Sequence, residues 1–397
     1  MNPSLPRDII LFSTADWDNT LWTNKQHTAA RLVKRGYRVL YVESIGLRRP
    51  VAGGMDASRV MGRLAKGAGG VKKVRDNLWV YSPIVIPFHS RAWVRAFNTK
   101  ILCSFIRGYS KRIGFQAPIF WTYNPLSVEL AGRLGESMLV YHCVDDLPSA
   151  PGMASEALSL AEQELVEKSD LVFTTSRKLQ ETRSKWNPGN THYFPNVADF
   201  DHFSKARKPG PIPEDLKGIP SPRIGFIGAI SDYKVDIELI ARIAEAREDW
   251  HWVLIGTVGE GQPSTSDTLL RRPNIHLLRE RPYDVLPEYL RGLDLCVLPS
   301  SLNDYTSSMF PMKFFEYLAA GKTIVSTDLP ALREHSDVCV LVKDRDDFIG
   351  AVSDALNGKS PDPLRCLETA RRYTWDKRLD WVEELLIKKW EEKRRSQ

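Results

Sequence analysis

Two parallel, doubly wound α/β domains are predicted, on three observations. The chain has 397 residues, more than one core comfortably fills. Short apolar strands alternate with amphipathic helices in the first half, and the alternation starts afresh at Arg223. Between the two series, Lys205 to Pro222 holds Pro209, Pro211, Pro213, Pro220 and Pro222 with few apolar groups, the composition of a linker. The expected division is a first domain over 1–204, a linker over 205–222, a second domain over 223–373, and a C-terminal segment over 374–397 whose helix crosses back to the first.

The elements follow in order. Ile9 to Ser13 is the first strand; Gln26 to Arg35 is a helix closed by Gly36; Arg38 to Val42 returns as a strand. Ile119 to Thr122, Leu139 to His142 and Leu171 to Thr174 are further strands, with helices at Ala154 to Lys168 and Arg177 to Lys185. Ligands of such sheets sit beyond the carboxyl ends of the strands, so Asp16 to Asn24, Glu43 to Arg49, Tyr123 to Pro125 and His142 to Gly152 border one crevice. The second series runs through strands at Arg223 to Ile227, Trp252 to Ile255, Ile275 to Leu278, Leu295 to Leu298 and Thr323 to Ser326. Its helices lie near Asp236 to Glu248 and Pro311 to Ala320, and a last helix covers Trp381 to Lys393.

Composition narrows the class. With 43% hydrophobic and 26% charged residues, the chain reads as globular. Its five cysteines, Cys103, Cys143, Cys296, Cys339 and Cys366, lack the paired spacing of a zinc or redox motif. The apolar run Ile9 to Phe12 is too short for a signal-peptide core, and no stretch is long enough to cross a bilayer, so a cytoplasmic location is expected.

Charge is uneven. Residues 1–190 carry 26 Lys and Arg against 16 Asp and Glu, whereas the remainder carry 29 against 33. No acidic residue lies between Asp76 and Glu129, where Arg91, Arg95, Lys100, Arg107, Lys111 and Arg112 alternate with Trp93, Phe97, Ile101, Phe105 and Tyr109. That spacing predicts a basic amphipathic helix. It reads either as a helix packed on its own domain with a solvated basic face, or as a peripheral seat on an anionic membrane surface over residues 91–112. Nucleic acid fits less well, because the aromatics form the apolar stripe and are not interleaved as stacking platforms.

Phe310 to Gly321 is the most informative segment. Pro311 suits the first helical position and Gly321 the residue past the end. Phe310 then precedes the helix and cannot cap it, which leaves first-turn amides to meet an anion. Lys313 in that turn opposes the helix dipole, and Lys313 before Glu316 is the less favourable order for an intrahelical pair. A ligand phosphate would reverse that penalty; the alternative is an ordinary surface pair beside a buried Phe314, Phe315 and Leu318 face.

This stretch, continuing from Lys322 to Pro330, resembles the donor-binding signature of the retaining GT-B glycosyltransferases grouped as glycosyltransferase family 4, or glycosyl transferases group 1. The resemblance implies two Rossmann-like domains facing a cleft. It implies that Glu316 holds the ribose hydroxyls of a nucleotide sugar, while Phe310, Pro311, Met312 and Lys313 hold the diphosphate. Many members carry a second Glu eight positions before the first; here that position is Ser308, which puts the sugar contact and the stereochemical outcome in doubt. Ile224 to Lys234 is similar to the family's first donor-domain strand and glycine turn, making Gly228 and Lys234 donor contacts. Asn274 to Tyr283 resembles the nucleobase segment, making Arg281 and Tyr283 candidates. In the first domain, Leu139 to Leu147 resembles the strand into the active-site loop, with His142, Asp145 and Asp146 as catalytic candidates. Glu164, Asp170 to Ser176 and Phe194 to Val197 extend the pattern, Asn196 ordering the interdomain turn. The loop Asp16 to Asn24, followed by His27, replaces the usual glycine-rich turn; Asp16, Asn19 and His27 are acceptor-side candidates.

The implied activity is transfer of a hexosyl or deoxyhexosyl group from a nucleotide diphosphate sugar to a cell-surface polysaccharide or lipid-linked glycan. Neither a metal nor a separate cofactor is expected. A sugar-nucleotide epimerase and a catalytically silent sugar-nucleotide-binding subunit are the rival readings.

Overall fold

The computed structural model describes residues 5–20, 22–45, 69–86, 92–153, 155–260 and 262–396. Leu21, the end of the loop after Val42 (46–49), Arg91 and Ala154 lie outside the described residues. The chain forms two compact units, Met1–Phe194 with Leu379–Gln397, and Pro195–Arg378.

The first unit is built on one sheet of eight strands: β1 (Asp8–Phe12), β2 (Arg38–Val42), β3 (Val71–Arg75), β4 (Leu78–Tyr81), β5 (Ile119–Thr122), β6 (Met138–Cys143), β7 (Leu171–Thr174) and β8 (Thr191–Tyr193). Their order is β3-β4-β2-β1-β5-β6-β7-β8, parallel throughout except for the β3–β4 hairpin. The central strands are buried along their whole length, as continuous apolar runs require when both faces are covered. Among the described residues its helices are α1 (Asn24–Lys34), α2 (Ala92–Arg112), α3 (Ser155–Lys168) and α4 (Arg177–Arg183). The Gln26 side chain accepts from the Thr23 amide at 3.1 Å at the start of α1, and Gly36 leaves it with φ of 84°.

The expected packing of α2 is reversed. Val94, Leu102 and Ile106 are buried, whereas Trp93, Phe97 and Phe105 face outward. The helix carries two apolar stripes, and the sheet takes the aliphatic one.

The second unit holds six parallel strands, β9 (Arg223–Ile227), β10 (His251–Ile255), β11 (Ile275–Leu277), β12 (Leu295–Leu298), β13 (Ile324–Thr327) and β14 (Val340–Val342), ordered β11-β10-β9-β12-β13-β14. Its helices are α5 (Phe200–Phe203), α6 (Glu214–Lys217), α7 (Ile237–Ala246), α8 (Leu286–Gly292), α9 (Asp304–Ser307), α10 (Lys313–Ala319), α11 (Phe348–Leu356) and α12 (Pro363–Arg372). Cores lie on both faces of the sheet, one under α8 and α10, the other under α7 and α11.

The segment Lys205 to Pro222, read as a linker, lies inside this second unit. Arg291 pins it, donating to the carbonyls of Lys205, Lys208 and Pro211 at 3.0, 2.8 and 2.6 Å. The last helix, α13 (Trp375–Arg395), starts six residues before the expected Trp381, and its residues from Leu379 onward are part of the first unit. There, Glu383 receives Arg35 at 2.7 Å and Lys393 reaches Asp170 at 2.8 Å.

Candidate active site

Strand order locates the ligand position of the second unit. From β9 the chain moves outward through β10 and β11, then returns to pair β12 against the other edge of β9. The crevice at the carboxyl ends of β9 and β12 is therefore a topological switch point. Gly228 follows β9, and Ser300 to Met312 follow β12 and lead into α10.

Two glycines let the backbone crowd together there. The Gly228 amide donates to the Ile255 carbonyl at 2.9 Å. A Cβ on Gly256 would stand 1.9 Å from the Gly228 carbonyl oxygen, and Gly256 has φ of 154°.

Helix α10 is fixed over β9 by Tyr317, whose hydroxyl accepts from the Ile227 amide at 2.8 Å. Lys313 lies four residues earlier on the same face, one turn of about 5.4 Å toward the start of the helix. The helix begins at Lys313, two residues later than expected, so Pro311 precedes it and Met312 stands at the cap without a side-chain cap bond. The loop before it is held by Asn196, whose amide donates to the Phe310 carbonyl at 2.7 Å with both residues buried. Asn196 thus orders the approach to α10 from within the second unit.

Lys313 Nζ meets Glu316 Oε2 at 2.7 Å. Glu316 is buried, and burial pushes its carboxyl above the ordinary carboxylate range, against the opposing pull of Lys313. His202 and Asp199 also act on Glu316. Sequence reasoning missed the influence of His202 and Asp199, which stand more than a hundred residues from Glu316 along the chain.

Other donor candidates are differently placed. Lys234 Nζ lies 5.2 and 5.5 Å from the Tyr233 and Tyr305 ring centroids. Arg281, expected at the nucleobase, is committed within the unit: it donates to the Tyr289 hydroxyl at 2.6 Å and pairs with Asp215. Tyr283 stacks on His202 at 4.4 Å, and its carbonyl lies 3.0 Å from His202 Nε2. Ser308 is buried just after α9. A cavity of about 550 Å³ opens at the same strand ends, lined by Asp232, Asp236, Ser300, Thr327 and Lys343 among others, but not by Lys313 or Glu316.

In the first unit the candidates diverge. His142 lies inside β6, 1% exposed, stacked on Tyr123 at 4.7 Å and within ring contact of Trp121 and Phe173. Asp146 is paired with Arg183 at 2.8 Å, and the same guanidinium holds buried Glu162 at 2.8 Å. Burial opposes the Arg183 charge, yet the Glu162 carboxylate beside it leaves the group held firmly protonated. The acid that joins this network is Glu162; Glu164, two residues on, is half-exposed and pairs with Lys168. Asp145 is only half-buried at the strand exit. Among the acceptor-side candidates, Asn19 is exposed, the Asp16 carbonyl accepts from Gln26 at 2.8 Å, and His27 is buried against Trp22. Lys25 lies 5.8 Å from the Tyr123 ring centroid, which brings α1 beside the end of β5.

A doubly wound, mainly parallel sheet in each unit defines the class of the chain by its fold: the GT-B architecture. Residues 221–358 match the family described as Glycosyl transferases group 1. The Bacillus subtilis (strain 168) protein TuaH, which carries the name of a teichuronic acid biosynthesis glycosyltransferase, is 30% identical over 223 residues, 53% of this chain and 55% of that protein. The chain spans about half the length of that relative. Among solved structures, sucrose-phosphate synthase from Thermosynechococcus elongatus superposes with a TM-score of 0.70 at 15% identity, over 96% of this chain and 98% of that one. A glycosyltransferase from Rickettsia africae gives 0.66 at 13%, over 97% and 98%. HepE of Anabaena, in complex with UDP, gives 0.62 at 14%, over 96% and 99%. At these identities the likeness is one of fold.

Proposed function

We propose that the chain transfers a hexosyl or deoxyhexosyl group from a nucleotide diphosphate sugar to a cell-surface polysaccharide or lipid-linked glycan acceptor, with retention at the anomeric carbon. The observation that carries this reading is the Lys313–Glu316 pair at the start of α10, the helix that Tyr317 ties to the last residue of β9 at the switch point of the second unit. Lys313 meets the diphosphate and stabilises the charge that develops on it as the glycosidic bond to the sugar breaks. Glu316, released from its lysine, accepts from the ribose hydroxyls. Ser308 offers no carboxylate, so the sugar is held by other groups.

The family match over 221–358 supports the donor half, and the name of the B. subtilis relative supports a polysaccharide acceptor. On this reading the enzyme works at the cytoplasmic face of the membrane, with the basic segment 91–112 as its peripheral seat.

Acceptor-dependent release of free nucleoside diphosphate by the purified protein tests the proposal. Lys313→Ala and Glu316→Ala are each expected to lower turnover by at least a hundredfold. Turnover unchanged in both variants would refute the site, and release of a C-epimerised sugar nucleotide without acceptor would favour an epimerase.

A further inference from the structure

Helix α2 turns Trp93, 63% exposed, and Phe97, 48% exposed, outward on the side that also carries Lys100, Ser104 and Arg107. Two large aromatics exposed beside a basic groove mark an interaction surface rather than scattered apolar residues.

A groove of about 610 Å³ runs along the same helix, lined by Lys100, Cys103, Ser104 and Arg107 of α2 and by Gly132 and Arg133 of the turn beyond Leu130. Positions 100, 103, 104 and 107 share one helix face, and Arg133 closes the groove from a separate element. The nearby carboxylates are already committed. Glu129 receives Arg95 at 3.2 Å and Thr99 at 2.6 Å, and Glu136 receives the amides of Gly132 and Leu134. Among the described residues, no ion pair joins Lys100, Arg107 or Arg133 to a carboxylate. The cations surround one groove instead of tracking an extended path, which suits a compact phosphate better than a nucleic-acid backbone.

We infer that this face docks on an anionic phospholipid bilayer, with a headgroup phosphate between Lys100, Arg107 and Arg133, and Trp93 and Phe97 at the acyl boundary. The inference deepens the peripheral-membrane part of the function proposed above and names its ligand. Opposite charge draws the groove to the lipid surface, and the aromatic rings suit the interface between headgroups and chains.

Co-sedimentation of the full chain with vesicles tests it. Equimolar phosphatidylglycerol and phosphatidylcholine should bind the protein, and phosphatidylcholine alone should not. Lys100→Glu with Arg107→Glu and Arg133→Glu is expected to weaken binding about a hundredfold, from the worth of surface cations near anionic lipid. A charge-matched variant of exposed second-unit residues, Lys359→Glu with Arg365→Glu and Arg372→Glu, should stay within a few-fold of wild type. Trp93→Ala with Phe97→Ala should remove the part of binding that survives high salt. Circular dichroism melts confirm that each variant folds. Equal losses in the two charge variants, equal binding to neutral vesicles, displacement by inorganic phosphate at matched ionic strength, or tighter binding to a single-stranded oligonucleotide would each overturn the inference. No nucleotide sugar enters this assay, so its failure is separate from failure of the glycosyl-transfer reading.

Discussion

Glu316 illustrates the tension between stability and binding in a single residue. Burial holds its carboxyl above the ordinary range despite Lys313 at 2.7 Å, so the folded state bears a penalty once the group ionises. A raised carboxyl pKa leaves stability fully present below the unfolded value and loses it as pH rises through the folded one. Glu316→Gln is therefore expected to melt above wild type at pH 7, with the difference vanishing as the pH falls below the usual carboxylate range, while nucleotide-sugar binding is lost. Melting curves across that range check this; a variant less stable than wild type at pH 7 would contradict it. Lys313 and Glu316 were legible in the sequence because their pairing is local, three residues apart on one helix. Arg281 was not: Asp215 and Tyr289, which occupy it, come from other segments. The packing around His142 was hidden for the same reason, since its ring neighbours Trp121, Tyr123 and Phe173 belong to other strands or the loops after them.

At the scale of elements, the course of the Gly228 turn, which borders the crevice, depends on how closely β9 and β10 bring their carboxyl ends together. The Gly228 loop passes over Gly256 with no room for a Cβ. Gly256→Ala is expected to cost about 1–3 kcal/mol, the usual penalty of overpacking, measured by denaturant unfolding. Gly36→Ala, where nothing stands within 4 Å, adds only backbone strain and should cost less. Equal losses in the two would show that crowding at Gly228 does not matter. The sequence marked Gly228 as a turn, but the importance of Gly256 emerges only when two strands lie side by side. The β3–β4 hairpin escaped prediction because β3 reads Val-Lys-Lys-Val-Arg, a charged edge strand without the apolar pattern of a buried one. Helix α2 was expected from its four-residue repeat, but periodicity could not say which of its two apolar stripes faces the sheet.

Over the whole molecule, the two alternating series and the restart at Arg223 were readable because each strand is an apolar run bounded by turn residues. The prolines after Lys205 suggested a free linker, whereas Arg291, some eighty residues later, straps that segment to the second unit. Composition reports the absence of apolar side chains and is silent about a guanidinium that satisfies backbone carbonyls. The central claim is that this unit binds a nucleoside diphosphate through Lys313 and Glu316. Calorimetric titration of UDP, dTDP, GDP and ADP into wild type, Lys313→Ala and Glu316→Gln tests it most directly. One of the four nucleotides should bind wild type and lose at least tenfold in affinity, about 1.4 kcal/mol, in each variant. Binding of none of them, or equal binding to all three proteins, would contradict the account.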